Sequence, residues 1–562
     1  MPHRRWFVQK TNPEYIEYLA KSTSTSPAFA QILINRGIKT PAEVRVFLDP
    51  SLSRLNDPLE LQGIKEATEI IKKAVRDKKR ILVHGDYDTD GITGTAILFS
   101  TLKKMGADVL YFIPDRRLHG YGFNRPGVEF AAESGVRLII TVDCGITSFK
   151  AVKESSDRGI GVVITDHHEP AKDDSGKTVL PGAAALINPK IDDALSIISG
   201  STVAFKLAAA LIGMDNALDM IDLASLGTIA DVVPLVGENR VIVKEGLRLI
   251  NESPRTGISA MKDVSGLNGR KLTAGLLSFS LIPRLNASGR IDNANDVIKM
   301  LVTENYNEAI ALARRLNDLN KKRQQIEEEI YQEALAMLKE KGHDFSIVLA
   351  SEGWHEGVVG IVASRLADAY YRPAFIFGIT DGIAKGSARS IPPLDLYHGI
   401  SLCKDILLSF GGHRQAAGLK LRAGDVELFE TRMNRIIPDS LTDSDLVPTL
   451  KIDASVAFRE VGFSLVREID LMEPLGFGNS SPVLGTRGLE AVGPKIVGKK
   501  HLKMRLKHRS YILDAIGFDM GDKADILDGT KLIDAVYTPT INVWERGRTL
   551  QLRLLSFRQS PL

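Results

Sequence analysis

The segment Arg80-Ile81-Leu82-Val83-His84-Gly85-Asp86-Tyr87-Asp88-Thr89-Asp90-Gly91 is the most informative part of this 562-residue chain. In it, a short apolar run leads directly into a histidine and three alternating aspartates. Two more apolar runs end similarly, Leu138 to Val142 at Asp143 and Val162 to Thr165 at Asp166-His167-His168. Continuous apolar runs of four or five residues are typical of buried parallel strands. Because ligands bind beyond the carboxyl ends of such strands, we expect these carboxylates and imidazoles to meet at one sheet edge.

A fourth acidic position, Asp231, follows the apolar stretch from Leu223 to Ala230. Oxygen and imidazole ligands gathered in one place predict a two-metal hydrolytic centre. Each aspartate taken alone could instead be the N-cap of the next helix. A calcium loop starting at Asp86 is a second alternative, but its twelfth position is Ile97, where a glutamate is required. The recurrence of the pattern at three strand ends favours the metal centre.

Length, composition and cysteine content limit the class of protein. The chain is long enough for two to four domains. Its 44% hydrophobic and 25% charged residues exclude a largely disordered protein, and a net charge of +3 says little about partners. The two cysteines, Cys144 and Cys403, predict a reducing compartment, the cytoplasm. With no signal peptide and no apolar run of about 20 residues, we predict no membrane association.

The pattern along the chain predicts an α/β protein with two α/β domains joined by a long helix, and a C-terminal OB-like β-barrel. Residues 236 to 300 look turn-rich around Pro283, Gly289 and Arg290. A charged helix with one short apolar stripe follows, for which a connecting helix is favoured over a coiled-coil dimer. The predicted segments are an N-terminal helical segment at 1–75, a catalytic domain at 76–303, the linker helix at 304–342, the second α/β domain at 343–437 and the barrel at 450–562.

Three glycine-rich segments mark the second α/β domain. Glycine lets a backbone approach a ligand closely, and N–H groups at a helix start bind anions. Arg389 and His413 would add charge for phosphate. Each cluster alone is more often a turn, but three clusters with an embedded Arg or His predict a phosphate-facing surface. The segments run from Ser351 to Gly360, from Lys385 to Ser390 and from Gly411 to Gly418.

The C-terminal segment 486–562 is basic, with 14 Lys plus Arg against 8 Asp plus Glu. Its short β-branched runs and frequent turn residues predict the small barrel. Basic and apolar residues alternate over 502–507, which indicates a strand with one charged face. Such a face could be merely solvated, but beside a two-metal hydrolytic centre a nucleic-acid groove is the better interpretation. The acid-free run contains Lys495, Lys499, Lys500, Lys503, Arg505, Lys507 and Arg509.

The ordered set of these motifs resembles the DHH phosphoesterase superfamily and, within it, the single-strand-specific exonucleases. The residues that carry the resemblance are His84 to Gly91, Val142-Asp143, Asp166-His167-His168 and Asp231. The segment from Gly411 to Gly418 looks like the glycine–histidine motif of the associated domain. Asp-His-His alone is a weak signal, whereas the full set in this order is a strong one.

The resemblance implies a binuclear site for Mn²⁺ or Mg²⁺. One metal would be held by His84, Asp88 and Asp143, and the other by Asp90, Asp143, His167 and Asp231, with Asp143 bridging. Asp166 would orient an imidazole and His168 would face the scissile phosphate, while Asp86 would support the site or contact the attacking water. The substrate-binding residues would be Arg116 and Arg117 as anchors for the 5′ end, Arg290, His355, Arg389, Ser390, Gly412, His413, Lys499, Lys500 and Lys503.

The activity implied by the resemblance is 5′→3′ hydrolysis of single-stranded DNA to 5′-mononucleotides by a monomer, with one strand admitted between the two α/β domains. The implied partners are a single-strand-binding protein and a helicase in repair and recombination. Two alternatives stay open. A DHH phosphodiesterase for short oligonucleotides or cyclic dinucleotides would typically lack the basic barrel. A non-catalytic single-strand-binding scaffold would be expected to have lost ligands. Processivity and the preference between DNA and RNA do not follow from the residues.

Overall fold

The structure is a computed structural model that describes residues 4–116, 118–120, 122–191, 197–527, 532–544 and 547–561. The chain divides into two compact units. The first unit comprises Val46–Arg323 and Met472–Ser480. The second unit comprises Met1–Arg45, Gln324–Leu471 and Ser481–Leu562.

The N-terminal segment contains a strand as well as the predicted helices. Two of its helices begin with proline after a capping residue: Asn12 accepts a hydrogen bond from the Glu14 N–H, and Ser26 accepts one from the Phe29 N–H. The strand pairs in parallel with Thr449–Ile452 in the second unit. The elements are β1 (Arg5–Val8), α1 (Pro13–Thr23), α2 (Pro27–Asn35) and α3 (Pro41–Leu48).

The first unit is built on a parallel sheet in the order β3-β2-β4-β5-β8. Strands β2, β4 and β5 are the three predicted apolar runs. The next two strands in the chain lie on opposite sides of β2, with β3 on one side and β4 on the other. The strand order therefore reverses at this point, and a crevice opens at the carboxyl ends of β2 and β4. The elements are α4 (Ile64–Arg76), β2 (Ile81–Gly85), α5 (Thr89–Lys104), β3 (Val109–Phe112), α6 (Arg125–Glu133), β4 (Leu138–Val142), α7 (Phe149–Asp157), β5 (Gly161–Thr165), β6 (Ala171–Lys172), β7 (Thr178–Val179) and β8 (Ala185–Ile187).

Helices follow the sheet, and they correct one sequence prediction, because the patch expected to be turn-rich is helical. The apolar stretch before Asp231 is also a helix. Pro283 lies in the first turn of its helix, where its missing N–H costs nothing. Gly289 allows close packing, since a Cβ there would lie 2.2 Å from the Tyr87 carbonyl oxygen. The helices are α8 (Gly200–Ile212), α9 (Met214–Ala217), α10 (Ile221–Ala230), α11 (Gly237–Glu252), α12 (Thr256–Val264), α13 (Ala274–Phe279), α14 (Leu281–Ile291), α15 (Asn295–Val302) and the long α16 (Tyr306–Lys341).

The second unit contains a mixed sheet in the order β12-β13-β11-β10-β9. One predicted glycine-rich segment, 385–390, lies in a strand except for its last residue, and another, 411–418, spans the ends of two strands and the turn between them. Gly386, for example, makes room for the core, since a Cβ there would lie 2.3 Å from Cδ1 of Phe377. The elements are β9 (Ile347–Glu352), α17 (Val359–Tyr370), β10 (Ala374–Thr380), β11 (Ile383–Arg389), α18 (Leu396–Ser401), β12 (Leu407–Gly412), β13 (Ala416–Arg422) and α19 (Val426–Ser440).

The C-terminal strands close into a five-stranded barrel, because β16 pairs with both β17 and β19 in the order β16-β17-β18-β20-β19. Leu502, Met504 and Leu506 are buried inside it and alternate with basic residues. The predicted fold class is confirmed, while the domain boundaries stay predictions. The elements are β14 (Thr449–Ile452), β15 (Ala454–Ser455), α20 (Phe463–Asp470), β16 (Leu484–Val497), β17 (His501–His508), β18 (Tyr511–Gly517), β19 (Ile533–Trp544) and β20 (Gly547–Gln559). Within the described ranges, no helix has the length and apolarity needed to cross a bilayer.

Candidate metal centre and substrate-binding residues

The loop after β2 brings aspartates to the crevice through a capped helix start. Asp88 is the N-cap of α5, and its Oδ1 accepts hydrogen bonds from the N–H groups of Asp90 (2.9 Å) and Gly91 (3.1 Å). The N-cap alternative is therefore correct for Asp88, and it does not compete with a metal role. One oxygen serves the helix, while Asp88 still offers a ligand atom close to those of Asp86 and Asp143.

Asp90 is held by the start of a second helix. Its Oδ2 accepts a 2.6 Å hydrogen bond from the Gly200 N–H, and its Oδ1 accepts a 3.0 Å bond from the Ser201 N–H. Both donors belong to the first turn of α8, where the helix dipole favours a carboxylate. A Cβ on Gly200 would lie 2.7 Å from Asp143 Oδ1, and one on Gly227 would lie 2.4 Å from Asp90 Oδ1. These two glycines let the acids approach closely, and their sequence context did not predict this.

His167 lies among three carboxylates. Its Nε2 is 3.0 Å from Asp143 Oδ1, 3.7 Å from Asp231 Oδ2 and 3.8 Å from Asp90 Oδ2. Asp143 reaches this position from the end of β4 with a backbone φ of 60°, in the left-handed region that aspartate tolerates better than most residues. The predicted ligands that follow different strands therefore lie close together, and Asp231 lies with them.

The ligand atoms form overlapping groups that fit two divalent cations. In each group they lie within 4.8 Å of one another, and Asp143 and His167 each belong to two groups. Asp86 Oδ1, Asp143 Oδ1 and His167 Nε2 are buried and make no hydrogen bond to the described part of the chain. Buried polar atoms left in this state indicate a missing partner. Carboxylates with imidazole suit Mn²⁺ or Mg²⁺. The groups are Asp86, Asp88 and Asp143; Asp143, His167 and His168; and Asp90, His167 and Asp231.

The electrostatics of the cluster point to a cation. Burial, followed by the charge of Asp90, raises the pKa of Asp143 well above its ordinary value and that of Asp231 to about 8. Burial and the charge of Asp88 raise the pKa of Asp86 in the same direction. Several carboxylates crowded into a low dielectric cannot all ionise without compensation. Bound divalent cations would supply that compensation and keep the carboxylates charged.

Asp166 organises both histidines of its motif. Its Oδ1 accepts hydrogen bonds from the backbone N–H groups of His167 (2.7 Å) and His168 (3.1 Å), and it lies 2.8 Å from His168 Nδ1. Its Oδ2 accepts a bond from the Ile146 N–H. Burial opposes charge on both groups, yet their mutual hydrogen bond lowers the pKa of Asp166 and raises that of His168 to about 9. The hydrogen bond with Asp166 therefore favours the protonated form of His168 at the edge of the cluster.

His84 differs from the other predicted ligands. It lies within β2, fully buried, with its ring 5.1 Å from that of Phe123, and a Cβ on Gly127 would lie 2.6 Å from its Nε2. Within the described ranges it belongs to none of the three groups, and Asp86 joins Asp88 and Asp143 instead. Burial lowers the pKa of His84 to about 4, so the ring is neutral, as a metal ligand must be. Its role as a ligand stays a prediction.

Two arginines predicted to bind substrate lie near the cluster. The Arg116 guanidinium is 5.6 Å from the centroid of the Tyr87 ring. Arg290 is half-buried on α14, one residue after the glycine that abuts the Tyr87 carbonyl. The charges of both arginines act on the Tyr87 hydroxyl. Arg117 lies outside the described residues.

Four of the predicted substrate-binding residues of the second unit lie at one end of its sheet, namely Arg389, Ser390, Gly412 and His413. Arg389 ends β11 opposite Ala416 of β13, and the His413 N–H donates a 2.8 Å hydrogen bond to the Ala416 carbonyl. Gly412 pairs with the next residue of β13 and has a φ of 146°. The Ser390 hydroxyl contacts the Ile391 and Leu394 carbonyls, so it stabilises the loop. His355 lies in the turn before α17, where its Nδ1 accepts a 3.1 Å bond from the Gly357 N–H.

The basic run of the barrel gains acidic neighbours through folding. Lys499 and Lys500 form the turn between β16 and β17, and Lys503 lies on β17 opposite Lys495. Lys500 Nζ lies 2.9 Å from a carboxylate oxygen of Asp519. The run therefore contains no acid in its sequence, but in the folded barrel an acidic side chain lies beside one of its lysines.

Two asparagines that sequence reasoning missed support the site. Asn286 Oδ1 accepts bonds from the N–H (2.9 Å) and hydroxyl (2.8 Å) of Thr89, which fixes the motif loop to α14. Asn188 Nδ2 donates a 2.9 Å bond to the His168 carbonyl. The closeness of Asn286 to Gly289 and Arg290 in sequence was the available signal, but the segment was interpreted as turns.

Comparison with known proteins agrees with this architecture. Three family models match: the DHH family N-terminal domain over residues 80–229, the DHHA1 domain over 343–439 and the RecJ OB domain over 452–556. The chain is 34% identical over 565 residues to the single-stranded-DNA-specific exonuclease RecJ of Haemophilus influenzae, covering 95% of this chain and 96% of that one. The chain belongs to the RecJ family. This membership confirms the predicted enzyme class, a metal-dependent single-stranded-DNA exonuclease.

Other RecJ proteins extend the match. RecJ of Bacillus subtilis is 38% identical over 559 residues, which is 98% of this chain and 70% of that protein. A crystal structure of RecJ from Thermus thermophilus with Mn²⁺ superposes with a TM-score of 0.86 at 32% identity, covering 99% of this chain and 80% of that one. A second structure of the same RecJ contains Mg²⁺ and gives a TM-score of 0.80. Both ions are those expected from the donor set of this chain.

Proposed function

We propose that this chain hydrolyses single-stranded DNA in the 5′→3′ direction and releases 5′-mononucleotides at the cluster around Asp143 and His167. The observation that carries the proposal is the convergence of these carboxylates and imidazoles, with buried atoms that lack hydrogen-bond partners among the described residues, in a chain similar to RecJ over nearly its full length. The phosphodiesterase for short substrates and the non-catalytic scaffold are less well supported, because the barrel is present and the predicted ligand positions are filled.

The distances support the following residue roles. Asp86, Asp88 and Asp143 would hold one cation, and Asp90, His167 and Asp231 would hold the other, with His84 as a further candidate for the first. Bound Mn²⁺ or Mg²⁺ would generate the nucleophile from water and stabilise both oxygens of an in-line displacement. The cationic ring of His168, held by Asp166, would neutralise the scissile phosphate.

Binding of the strand would use cationic groups in both units. Arg116 and Arg290 near Tyr87 would contact the 5′ end, with Arg117 as a further candidate. Arg389, Gly412 and His413 would contact phosphates, and His355 and Ser390 would support them. Lys499, Lys500 and Lys503 would follow the distal part of the strand. Phosphate contacts of this kind supply affinity without reading sequence.

We also propose the cellular setting implied by the family. The enzyme would act as a monomer in the cytoplasm, together with a helicase that supplies single strands and a single-strand-binding protein. Both cysteines, Cys144 and Cys403, are free and buried, which is compatible with a reducing compartment. Sedimentation of the purified chain tests the monomer, and co-purification under native conditions tests the protein partners.

The polarity of hydrolysis tests the proposed direction. A single strand labelled at its 5′ end is expected to release labelled mononucleotide from the first turnover. The same strand labelled at its 3′ end is expected to shorten progressively, because the label is the last residue reached. Both series are read on a denaturing gel in Mn²⁺, with blunt duplex as the control that should resist. Rapid cleavage of circular single strands would show an endonuclease and contradict the proposal.

The salt dependence of binding tests the barrel. Each phosphate neutralised on a single strand contributes about −0.7 to the slope of log K against log salt. Replacing Lys499, Lys500 and Lys503 together by Gln should therefore make that slope shallower by roughly 2 if each lysine meets a phosphate. Turnover on a saturating long strand should change little, since the lysines take no part in the metal cluster. Fluorescence anisotropy over a salt series measures the slope.

A matched variant separates local contact from net charge. Lys65, Lys72 and Lys73 are exposed on α4, and replacing all three by Gln removes the same charge. This control is expected to keep the wild-type slope. Equal slopes in the two triple variants would mean that the barrel lysines are a solvated face, and the enzyme for short oligonucleotides would become the better interpretation.

A further inference from the structure

The segment Met472–Ser480, here called the strap, packs in the first unit although the residues on either side of it belong to the second. The strap closes on itself: the backbones of Gly476 and Asn479 exchange hydrogen bonds of 2.9 and 3.1 Å. The buried Asn479 side chain also donates to the Met472 and Pro474 carbonyls. The strap is therefore a loop with a defined shape of its own.

The strap lies directly against the chain that follows Asp231. The Leu235 N–H donates a 2.8 Å hydrogen bond to the Phe477 carbonyl. A Cβ on Gly478 would lie 2.8 Å from Cβ of Pro234, and a Cβ on Gly476 would lie 2.6 Å from Cδ1 of Leu235. Two glycines thus permit a contact that other residues would prevent.

A buried arginine forms hydrogen bonds with the backbone of the strap. Arg240 on α11 is 2% exposed, and its Nη1 donates to the carbonyls of Met472 (2.5 Å) and Pro474 (3.3 Å). Its Nε donates a 3.0 Å bond to the Phe47 carbonyl. Burial lowers the pKa of Arg240 to about 10, which leaves it charged at neutral pH. Hydrogen bonds from a charged donor are among the stronger ones, so Arg240 reinforces the two carbonyls that the Asn479 side chain also contacts.

The turn at residues 231–235, which the strap contacts, carries backbone strain. Asp231 caps the end of α10, and the next residue, Val232, has a φ of 57°. A β-branched residue in the left-handed region is a genuine outlier, which persists only where the surroundings enforce it. Asn239 secures the same turn from its other side, through a 3.0 Å bond to the Pro234 carbonyl. The strap and Asn239 together hold the turn in its strained form.

We propose that the strap positions Asp231 in the metal centre. By clamping the turn at Pro234 and Leu235, it keeps Asp231 Oδ2 3.7 Å from Nε2 of His167. Arg240 and Gly478 are then positioning residues that touch neither metal nor DNA. The inference rests on the proposed role of Asp231 as a ligand. It also means that the segment leading into the first long barrel strand shapes the affinity of the site for one cation.

The test compares two glycine substitutions that carry the same backbone strain. Gly478 and Gly266 have φ values of 73° and 66°, but a Cβ on Gly266 would meet nothing within 4 Å. We expect Gly478→Ala to bind one of two Mn²⁺ ions about tenfold more weakly, the lower end of the effect of losing support around a metal ligand. Gly266→Ala should bind both ions as the wild type does. Binding is measured on the full chain without DNA, from the electron paramagnetic resonance signal of free Mn²⁺.

Two further variants make the outcome decisive. Arg240→Lys keeps the charge but cannot contact both the strap carbonyls and the Phe47 carbonyl, and it should weaken the same ion if Gly478→Ala does not fold. Asp231→Asn, titrated in parallel, should lose that ion. If Asp231→Asn loses the ion while Gly478→Ala and Arg240→Lys bind like Gly266→Ala, the strap inference is wrong. If Asp231→Asn retains both ions, the proposed ligand role itself is wrong.

Discussion

Asp143→Asn is expected to abolish hydrolysis while leaving binding of single-stranded DNA largely intact. Asparagine keeps the size of the side chain and tolerates the φ of 60° at this position, so the fold should not change. It removes the charge from the carboxylate that two of the candidate metal groups share. Losing a residue that only supports a metal ligand typically lowers metal affinity or activity about 10- to 100-fold. Losing the charge of a proposed ligand itself should therefore lower turnover by more than about 100-fold. Nucleotide release in saturating Mn²⁺ measures it.

Asp173→Asn is the matched control for that substitution. Asp173 is an exposed aspartate of the same unit whose Oδ1 accepts hydrogen bonds from Ser175 and Lys177 in a turn. This variant should retain wild-type turnover, and both variants should bind a fluorescent single strand in EDTA equally well. Activity of Asp143→Asn above a few per cent of wild type would remove Asp143 from the metal site.

Gly200→Ala is expected to reduce turnover strongly through a single methyl group. The new Cβ would lie 2.7 Å from both Cβ and Oδ1 of Asp143, closer than such contacts occur. Either Asp143 or the start of α8 must move, and the N–H of residue 200 also holds Asp90. Two proposed ligands are thus displaced together. We expect a loss of about 10- to 100-fold in turnover and a parallel loss in Mn²⁺ affinity.

The control for Gly200→Ala is Gly182→Ala. Gly182 lies in the same unit, and a Cβ there would meet nothing within 4 Å. This variant should match the wild type in turnover, Mn²⁺ affinity and thermal unfolding in EDTA. If Gly200→Ala unfolds at the wild-type temperature and also keeps full turnover, the close approach of α8 to the carboxylates does not matter for catalysis.

The first sheet and much of the candidate site could be predicted because both depend on local patterns. Short apolar runs such as the three that end in acids or histidines here are typical of buried strands in an α/β sheet. Parallel strands bring their carboxyl ends to one edge of the sheet. Asp231 was predicted to join them, although the stretch before it proved to be a helix. An apolar run of that length does not distinguish a buried helix from a strand by periodicity.

Other features of the fold and of the candidate site depend on contacts that a local sequence pattern does not reveal. The turns expected around Pro283 and Gly289 are a helix, because the proline lies in its first turn and the glycine accommodates a neighbouring backbone. Gly386 makes room for Phe377, a steric role that the glycine-rich pattern of its segment did not reveal. The charge of Lys500 is partly met by Asp519, 19 residues further along the chain.

Local patterns were enough to identify which chemical groups this protein brings to its candidate metal centre, because short apolar runs that end in acids or histidines mark both the ligand types and most of their positions. How those groups are held depends on the packed fold. Gly200 and Gly227 let two acids approach, Asn286 fixes the motif loop, and the strap contacts the turn after Asp231. These contacts join residues far apart in the chain, and they form only once the helices have packed.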